Sequence, residues 1–280
     1  MISSWLSADA RLAFSDTGSG LPVVCLHPTP LDHDYWRPMA DNLPGVRVIA
    51  PDLRGHGKSE MGVFLPKGGF TRVPDAPVLS MAQLADDILA LIDHLALPQA
   101  VFIGCSIGGY VLLELWRKAP DRVRGLTFMC AKPQPDADAN LQKRVANIAQ
   151  ARSGANPSLM DGFAQSLVGA TTRHLRPEIV SELRARMTVT PEVEVAVQAG
   201  LASRPDSLPT VATINVPVLA IAGGEDAAVA PAEMEAYRAT PGGCTFHLLE
   251  DAGHFAAYEQ PQKVAALVAD WLGQFAKFGI

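Results

Sequence analysis

Six short apolar runs recur along the chain: LPVVCLH (21–27), VRVIAPD (46–52), AVFIGCS (100–106), VRGLTFMC (123–130), VPVLAIAGG (216–224) and TFHLLEDAG (245–253). Successive side chains of a strand point to opposite faces of its sheet, so a strand apolar at successive positions must be covered on both sides. Between and after these runs lie stretches with apolar residues at helical spacing, notably MAQLADDILALIDHLAL (81–97), IGGYVLLELWRKAP (107–120) and QKVAALVADWLGQFAKF (262–278). Buried strands separated by amphipathic helices predict an α/β fold, a doubly wound and mostly parallel sheet with helices on both faces.

The alternation stops between 132 and 209. That stretch shows no strand pattern and reads as helices at NLQKRVANIAQAR, SLMDGFAQSLVGA, RPEIVSELRARM and PEVEVAVQAGLAS, separated by turn formers such as SGANP and TVTP. The expected organisation is a core from 1–131 and 210–280, with 132–209 inserted late in the sheet as a helical cap. A chain of 280 residues accommodates one large domain with such an insertion.

Composition narrows the function classes. The net charge of −6, without clustered Lys and Arg, argues against nucleic acid or an anionic membrane as partner. Cys25, Cys105, Cys130 and Cys244 show no paired spacing and read as reduced, buried thiols. The N-terminus MISSWLSADARLAFSDTG lacks the basic and apolar regions of a signal peptide, so a cytoplasmic location is expected. No run of about 18 apolar residues is present to cross a bilayer.

Gly104-Cys105-Ser106-Ile107-Gly108 stands where a strand pattern ends and a helix pattern begins. A nucleophile on so sharp a turn occupies strained backbone, and its neighbours two before and two after must be small because strand and helix come close. Two phosphate-binding alternatives fail on spacing: GCSIGG lacks G-x-G-x-x-G, and GHGKS (55–59) has Asp52 where a P-loop needs its first glycine. A serine nucleophile needs a base, and the base needs an orienting acid. His254 follows the last strand pattern in LLEDAGHFAAYEQP and is the expected base; His94, His174 and His247 sit on helices, helix ends or a strand. Asp226, just past the run at 216–224, is the expected acid, with Glu225 and Asp251 as competitors. Two backbone N–H groups must face the developing oxyanion. Ile107 follows the nucleophile at a helix N-terminus, and within His27-Pro28-Thr29-Pro30 proline has no N–H, which leaves Thr29 as the second donor. LDHD (31–34) reads as a capped helix start, since adjacent Asp and His side chains do not converge on one ion.

The stretches LHPTPLDHDYW, APDLRGHGKS, GCSIGGYVLLEL, AGGEDAAVAP and DAGHFAAYEQP together make the chain resemble the α/β-hydrolase superfamily over nearly its whole length. Within it the chain is most similar to 3-oxoadipate enol-lactonase-like and small methylesterase-like members. The resemblance implies hydrolysis of an ester or lactone through a serine acyl-enzyme, without metal or organic cofactor. Asp52, Arg54 and His56 read as a structural turn. Two departures stand out: Pro28 replaces a usual glycine, and 61–80 is longer than the group's usual link, which suits a lip over the site.

The expected substrate is a small to medium, largely apolar ester or lactone, because the insert offers Leu159, Met160, Phe163, Leu167 and Val168. These residues, with Tyr35 and Trp36 near the oxyanion loop, are either pocket walls or packing residues. Three rival functions stay open on the same scaffold: a C–C bond hydrolase or cofactor-free perhydrolase, a slow ligand-binding receptor, and a non-hydrolytic biosynthetic protein. Dehalogenases and epoxide hydrolases of this fold are disfavoured, since they need Asp where Ser106 stands. The sequence sets no oligomeric state.

Overall fold

The structure, a computed structural model, describes residues 2–63 and 71–276. Eight strands form one sheet: β1 (Ile2–Ser7), β2 (Ala10–Gly18), β3 (Leu21–Leu26), β4 (Val46–Pro51), β5 (Ala100–Cys105), β6 (Val123–Met129), β7 (Val218–Gly223) and β8 (Cys244–Leu249). Their spatial order is β1-β2-β4-β3-β5-β6-β7-β8. From β4 onward every neighbouring pair is parallel, while β2 runs antiparallel to both β1 and β4.

The six continuous apolar runs are β3 to β8, and β5 and β7 are buried at every position. The sequence pattern does not reveal β1 and β2. Both are only partly buried, and ISSWLS shows just Trp5 and Ser7 to the core. An antiparallel hairpin with one solvated face mixes polar and apolar residues, which weakens the continuous-run signal.

The strand order reverses between β3 and β5. β3 pairs with β4 on one side and with β5 on the other. Right-handed crossovers then place the β3–β4 connection on the face opposite the β5–β6 connection. The helices Met81–His94 and Ile107–Lys118 pack against each other, while Pro261–Ala276 packs against the short helix Arg37–Ala40. At such a reversal, loops leaving the carboxyl ends of neighbouring strands diverge and open a crevice. The loops after β3 and β5 carry Thr29 and Ser106 to that edge.

Between β6 and β7 the chain forms the helices Asp138–Arg152, Asn156–Leu167, Ala170–Leu175, Glu178–Arg186 and Pro191–Ala202, and no strand among the described residues. Asp138–Arg152 and Pro191–Ala202 pack closely against each other. Pro191 and the Thr190 cap give the last of these a defined start, with Thr190 Oγ1 accepting from the Val193 amide at 3.4 Å. Of the expected lip at 61–80, residues 64–70 lie outside the described residues. The part from 71 to 80 is tied to the insert: the Arg72 amide donates to Ser203 Oγ at 3.1 Å, and the Leu79 amide to the Ala196 carbonyl at 3.0 Å. Among the described residues no helix is long and apolar enough to cross a membrane.

Candidate active site

Ser106 stands between the end of β5 and the helix Ile107–Lys118 with φ 51° and ψ −118°. That conformation is disfavoured for a side chain with a Cβ and costs on the order of 1–3 kcal/mol. Its amide donates to the Met129 carbonyl of β6 at 3.0 Å, which fixes the turn against the neighbouring strand. The flanking glycines answer a steric demand. A Cβ on Gly108 would stand 2.2 Å from the Leu26 carbonyl oxygen, and one on Gly104 would stand 2.5 Å from the Gly108 carbonyl carbon.

His254 lies in the loop after β8, and its amide donates to the Leu167 carbonyl of the insert at 2.8 Å. Its ring Nδ1 lies 2.8 Å from Asp226 Oδ2. Asp226 follows β7, and its other oxygen accepts from the Ala228 and Val229 amides at 2.7 and 3.1 Å. The two side chains are 4% and 0% exposed, so the pair is shielded from water. A carboxylate that takes the proton of Nδ1 leaves the Nε2 lone pair available as a base. Burial opposes a charge on the imidazole, but the charge and hydrogen bond of Asp226 outweigh it and raise the His254 pKa above 6.5. The competing carboxylates are engaged elsewhere. Glu225 accepts from the amide and hydroxyl of Thr171 at 2.8 and 2.6 Å, and Asp251 faces Lys263 at 3.4 Å.

Glu259 is a supporting residue that sequence reasoning missed. Fully buried, it accepts from the amides of Gly169, Gly253 and Phe255 at 2.9, 3.1 and 3.2 Å. It thereby ties the His254 loop to the insert. Its signal was a carboxylate five residues past the histidine inside an apolar helix start, which reads equally well as an exposed helix residue.

Thr29 and Ile107 both border the same edge, and among the described residues neither amide donates to another group. Thr29 Oγ1 lies 2.9 Å from His56 Nε2, and His56 Nδ1 lies 3.0 Å from the Arg54 carbonyl. Burial lowers the His56 pKa, so the neutral ring donates from Nδ1 and accepts the threonine hydroxyl at Nε2. His27, pushed down to about 3 by burial, likewise accepts the Leu53 amide at Nε2. Asp52 collects the His33 amide and ring and the Lys58 amide at 2.7–2.9 Å, while Arg54 grips Asp87 through two nitrogens. The DLRGHG segment is thus a hydrogen-bonded brace under the loop of Thr29. Asp32 caps the turn His33–Trp36 by accepting from the Asp34 amide at 3.0 Å.

Ser106, His254 and Thr29 line one cavity of about 350 Å³. Phe163 and Leu167 line it too, but Met160 is buried within the insert. Tyr35 and Trp36 are fully buried packing residues outside this cavity. The Tyr35 hydroxyl donates to Cys105 Sγ at 3.3 Å, and Trp36 borders a separate surface depression beside Arg37. The wall is more polar than the apolar insert residues suggested: Lys132, Asp136, Asn140, Lys143, Arg144, Asn147 and Gln198 all contribute. Asp136 is bound by Arg144 at 3.1 Å and Arg204 at 2.7 Å. Burial works against its charge, yet the two guanidiniums hold its pKa below the usual carboxylate range. The Arg204 guanidinium lies 3.7 Å over the Tyr110 ring.

Cys130, Asp226 and His254 bring potential metal-ligand atoms within 4.8 Å of one another. Asp226 and His254 already hydrogen-bond to each other through Oδ2 and Nδ1. Contact with Cys105 and burial raise the Cys130 pKa well above the usual thiol value, so without a metal the thiol is protonated.

A strained serine on a strand–helix turn, at the carboxyl edge of a mostly parallel eight-stranded sheet and beside a carboxylate-bound histidine, defines the hydrolase class of α/β proteins. The profile of the alpha/beta hydrolase fold family matches residues 22–261, and the chain belongs to that family. Among solved structures it is similar to a thermophilic esterase from Thermogutta terrifontis, solved with malate bound, at 32% identity, TM-score 0.87 and 98% coverage of both chains. Among curated proteins it is similar to 3-oxoadipate enol-lactonase 2 of Acinetobacter baylyi, 29% identical over 77% of this chain and 74% of the relative. It is also similar to 2-hydroxymuconate semialdehyde hydrolase of Pseudomonas sp. strain CF600, 26% identical over 96% of this chain and 93% of the relative.

Proposed function

We propose that the protein is a serine hydrolase that cleaves a carboxylic ester or lactone of a small molecule through an acyl-enzyme on Ser106. The observation that carries this reading is the meeting of three separated segments at one cavity: the turn of Ser106, the loop of His254 and, 2.8 Å behind its ring, Asp226. In the proposed cycle, His254 Nε2 takes the Ser106 proton as Oγ attacks the carbonyl carbon. Asp226 holds the tautomer and stabilises the imidazolium. The Thr29 and Ile107 amides receive the oxyanion, and each is worth about 3 kcal/mol of the barrier. His254 then protonates the departing alcohol or enol, and water repeats the steps to release the acid. The helical segment 132–209 acts as a cap, since the helices Asp138–Arg152, Asn156–Leu167 and Pro191–Ala202 supply much of the cavity wall.

The esterase and enol-lactonase relatives support this reading. The semialdehyde hydrolase relative favours a second one, in which the same side chains cleave a C–C bond beside a carbonyl. The test is a fluorophosphonate probe with mass mapping of the modified residue, followed by an ester and lactone panel. Modification at Ser106, abolished in Ser106→Ala together with ester turnover, is the expected result. Labelling elsewhere, or unchanged turnover in Ser106→Ala, would overturn the assignment.

A further inference from the structure

The helix Asp138–Arg152 turns a polar stripe inward. Asn140, Lys143, Arg144 and Asn147 follow the i, i+3, i+4, i+7 spacing of one helical face, and all four line the cavity that holds Ser106. The inward stripe of a helix in an ordinary insert is apolar. Here Ile148 and Ala151 are buried, but the polar stripe lies on the cavity side and apolar Val145 is 47% exposed. Lys143 stands at the exposed rim of the cavity, while Asn140, Arg144 and Asn147 are half-buried, and a half-buried polar group is costly to desolvate unless something polar meets it.

The charges around the cavity do not cancel. Lys132 is paired with Glu233 at 2.6 Å. Arg144 and Arg204 share the single carboxylate of Asp136. Lys143 has no carboxylate within ion-pair distance among the described residues. Of the lining cations Lys132, Lys143 and Arg144, Lys143 is thus the one without a carboxylate partner among the described residues. Arg144 is also held in place before any ligand arrives. Its Nε donates to Asp136, and its Nη1 donates to Gln198 Oε1 at 3.0 Å. Gln198 is fixed in turn by Glu194 at 2.7 Å. Among the described residues the Nη2 group of Arg144 has no acceptor. A fixed guanidinium edge with free N–H groups is a receptor for a planar anion.

We propose that this stripe is a carboxylate subsite, so that the substrate of the Ser106 site carries one free carboxylate besides the bond to be cleaved. This rests on the hydrolytic reading of the site. Lys143 and Arg144 hold the carboxylate, and the Asn140 and Asn147 amides add neutral donors. Lys143, the one lining cation without a carboxylate partner among the described residues, supplies a single charge, which matches a monoanion better than a phosphate, close to two charges at neutral pH.

Binding tests the subsite apart from turnover. Ser106→Ala protein is titrated calorimetrically with monomethyl glutarate, a monoanion, and with dimethyl glutarate, its neutral counterpart. The monoanion is expected to bind about tenfold more tightly. That margin should shrink in Lys143→Gln and at about 0.5 M salt, and return in Lys143→Arg. Equal affinity, or no detectable binding of either compound, overturns the subsite. In parallel, the ratio of kcat/KM for p-nitrophenyl hemisuccinate over p-nitrophenyl butyrate is measured on the wild type and Lys143→Gln. Monoanion-selective binding without turnover of either ester refutes the hydrolytic reading and keeps the subsite. Turnover of both esters without preference does the reverse.

Discussion

Glu194 offers a sharp test of how this protein balances a buried charge. It sits in the helix Pro191–Ala202, fully buried, behind the wall that carries Gln198 and Arg144. One carboxyl oxygen accepts from Gln198 Nε2 at 2.7 Å, and the other has no partner among the described residues. Burial pushes its pKa up from 4.5 to about 7, and the Gln198 bond and the Arg144 charge offset only part of this. Between those values the folded chain holds a proton there that the unfolded chain has released. Stability therefore falls as pH rises from 4.5 to about 7, and the loss is complete above that. At about 1.4 kcal/mol per pH unit, the interval corresponds to about 3 kcal/mol. Glu194→Gln keeps the shape and the Gln198 contact but removes the charge. The new amide nitrogen lacks an evident acceptor, which costs about 1 kcal/mol. The variant is therefore expected to be about 2 kcal/mol more stable at pH 8, or about 3 °C in Tm for a chain of this length. The two proteins should converge toward pH 5. Urea denaturation followed by circular dichroism from pH 5 to 8.5 checks this. Parallel stability curves across the window would refute the reasoning, because a carboxyl already ionised at no cost gives no pH-dependent difference.

Two further predictions follow from the site. Asp226→Asn removes the charge that raises the His254 pKa against burial. In the wild type the acidic limb of kcat/KM should have its midpoint above 6.5, with activity lost as falling pH protonates the base. In the variant the midpoint should drop below 6.5 and the plateau should fall by a factor on the order of 10³–10⁴, read from pH–rate profiles. Gly108→Ala places a methyl 2.2 Å from the Leu26 carbonyl oxygen, where only backbone can move. It should cost at least about 3 kcal/mol in thermal or urea unfolding and suppress ester turnover, whereas an exposed change such as Gly273→Ala should do neither.

The sequence by itself determined the elements governed by short-range rules. Runs of successive apolar residues made β3 to β8 readable as strands, although β8, at the sheet edge, is mostly half-buried or exposed and not covered on both faces. Glycines two before and two after Ser106 marked a turn where strand and helix backbones approach, and Gly104 and Gly108 have no room for a Cβ. Pro28 and Pro30 have no N–H, which made Thr29 the expected amide donor of its loop. Asp226 and His254 were legible because each follows a strand run in a loop too short to lead elsewhere.

The tertiary structure decided which faces meet. A stripe such as Asn140, Lys143, Arg144 and Asn147 reads as solvent-facing until the helix is seen to present it to a cavity. Tyr35 and Trp36 read equally well as pocket or core, and only the packing of Tyr35 on Cys105, Phe255 and Tyr258 assigns it to the core. The Asp136–Arg204 and Gly169–Glu259 contacts join residues 68 and 90 positions apart, beyond any periodicity. Periodicity reports how one segment divides into faces. It carries no information on which distant face will cover which, and that choice falls to the packing of the whole chain.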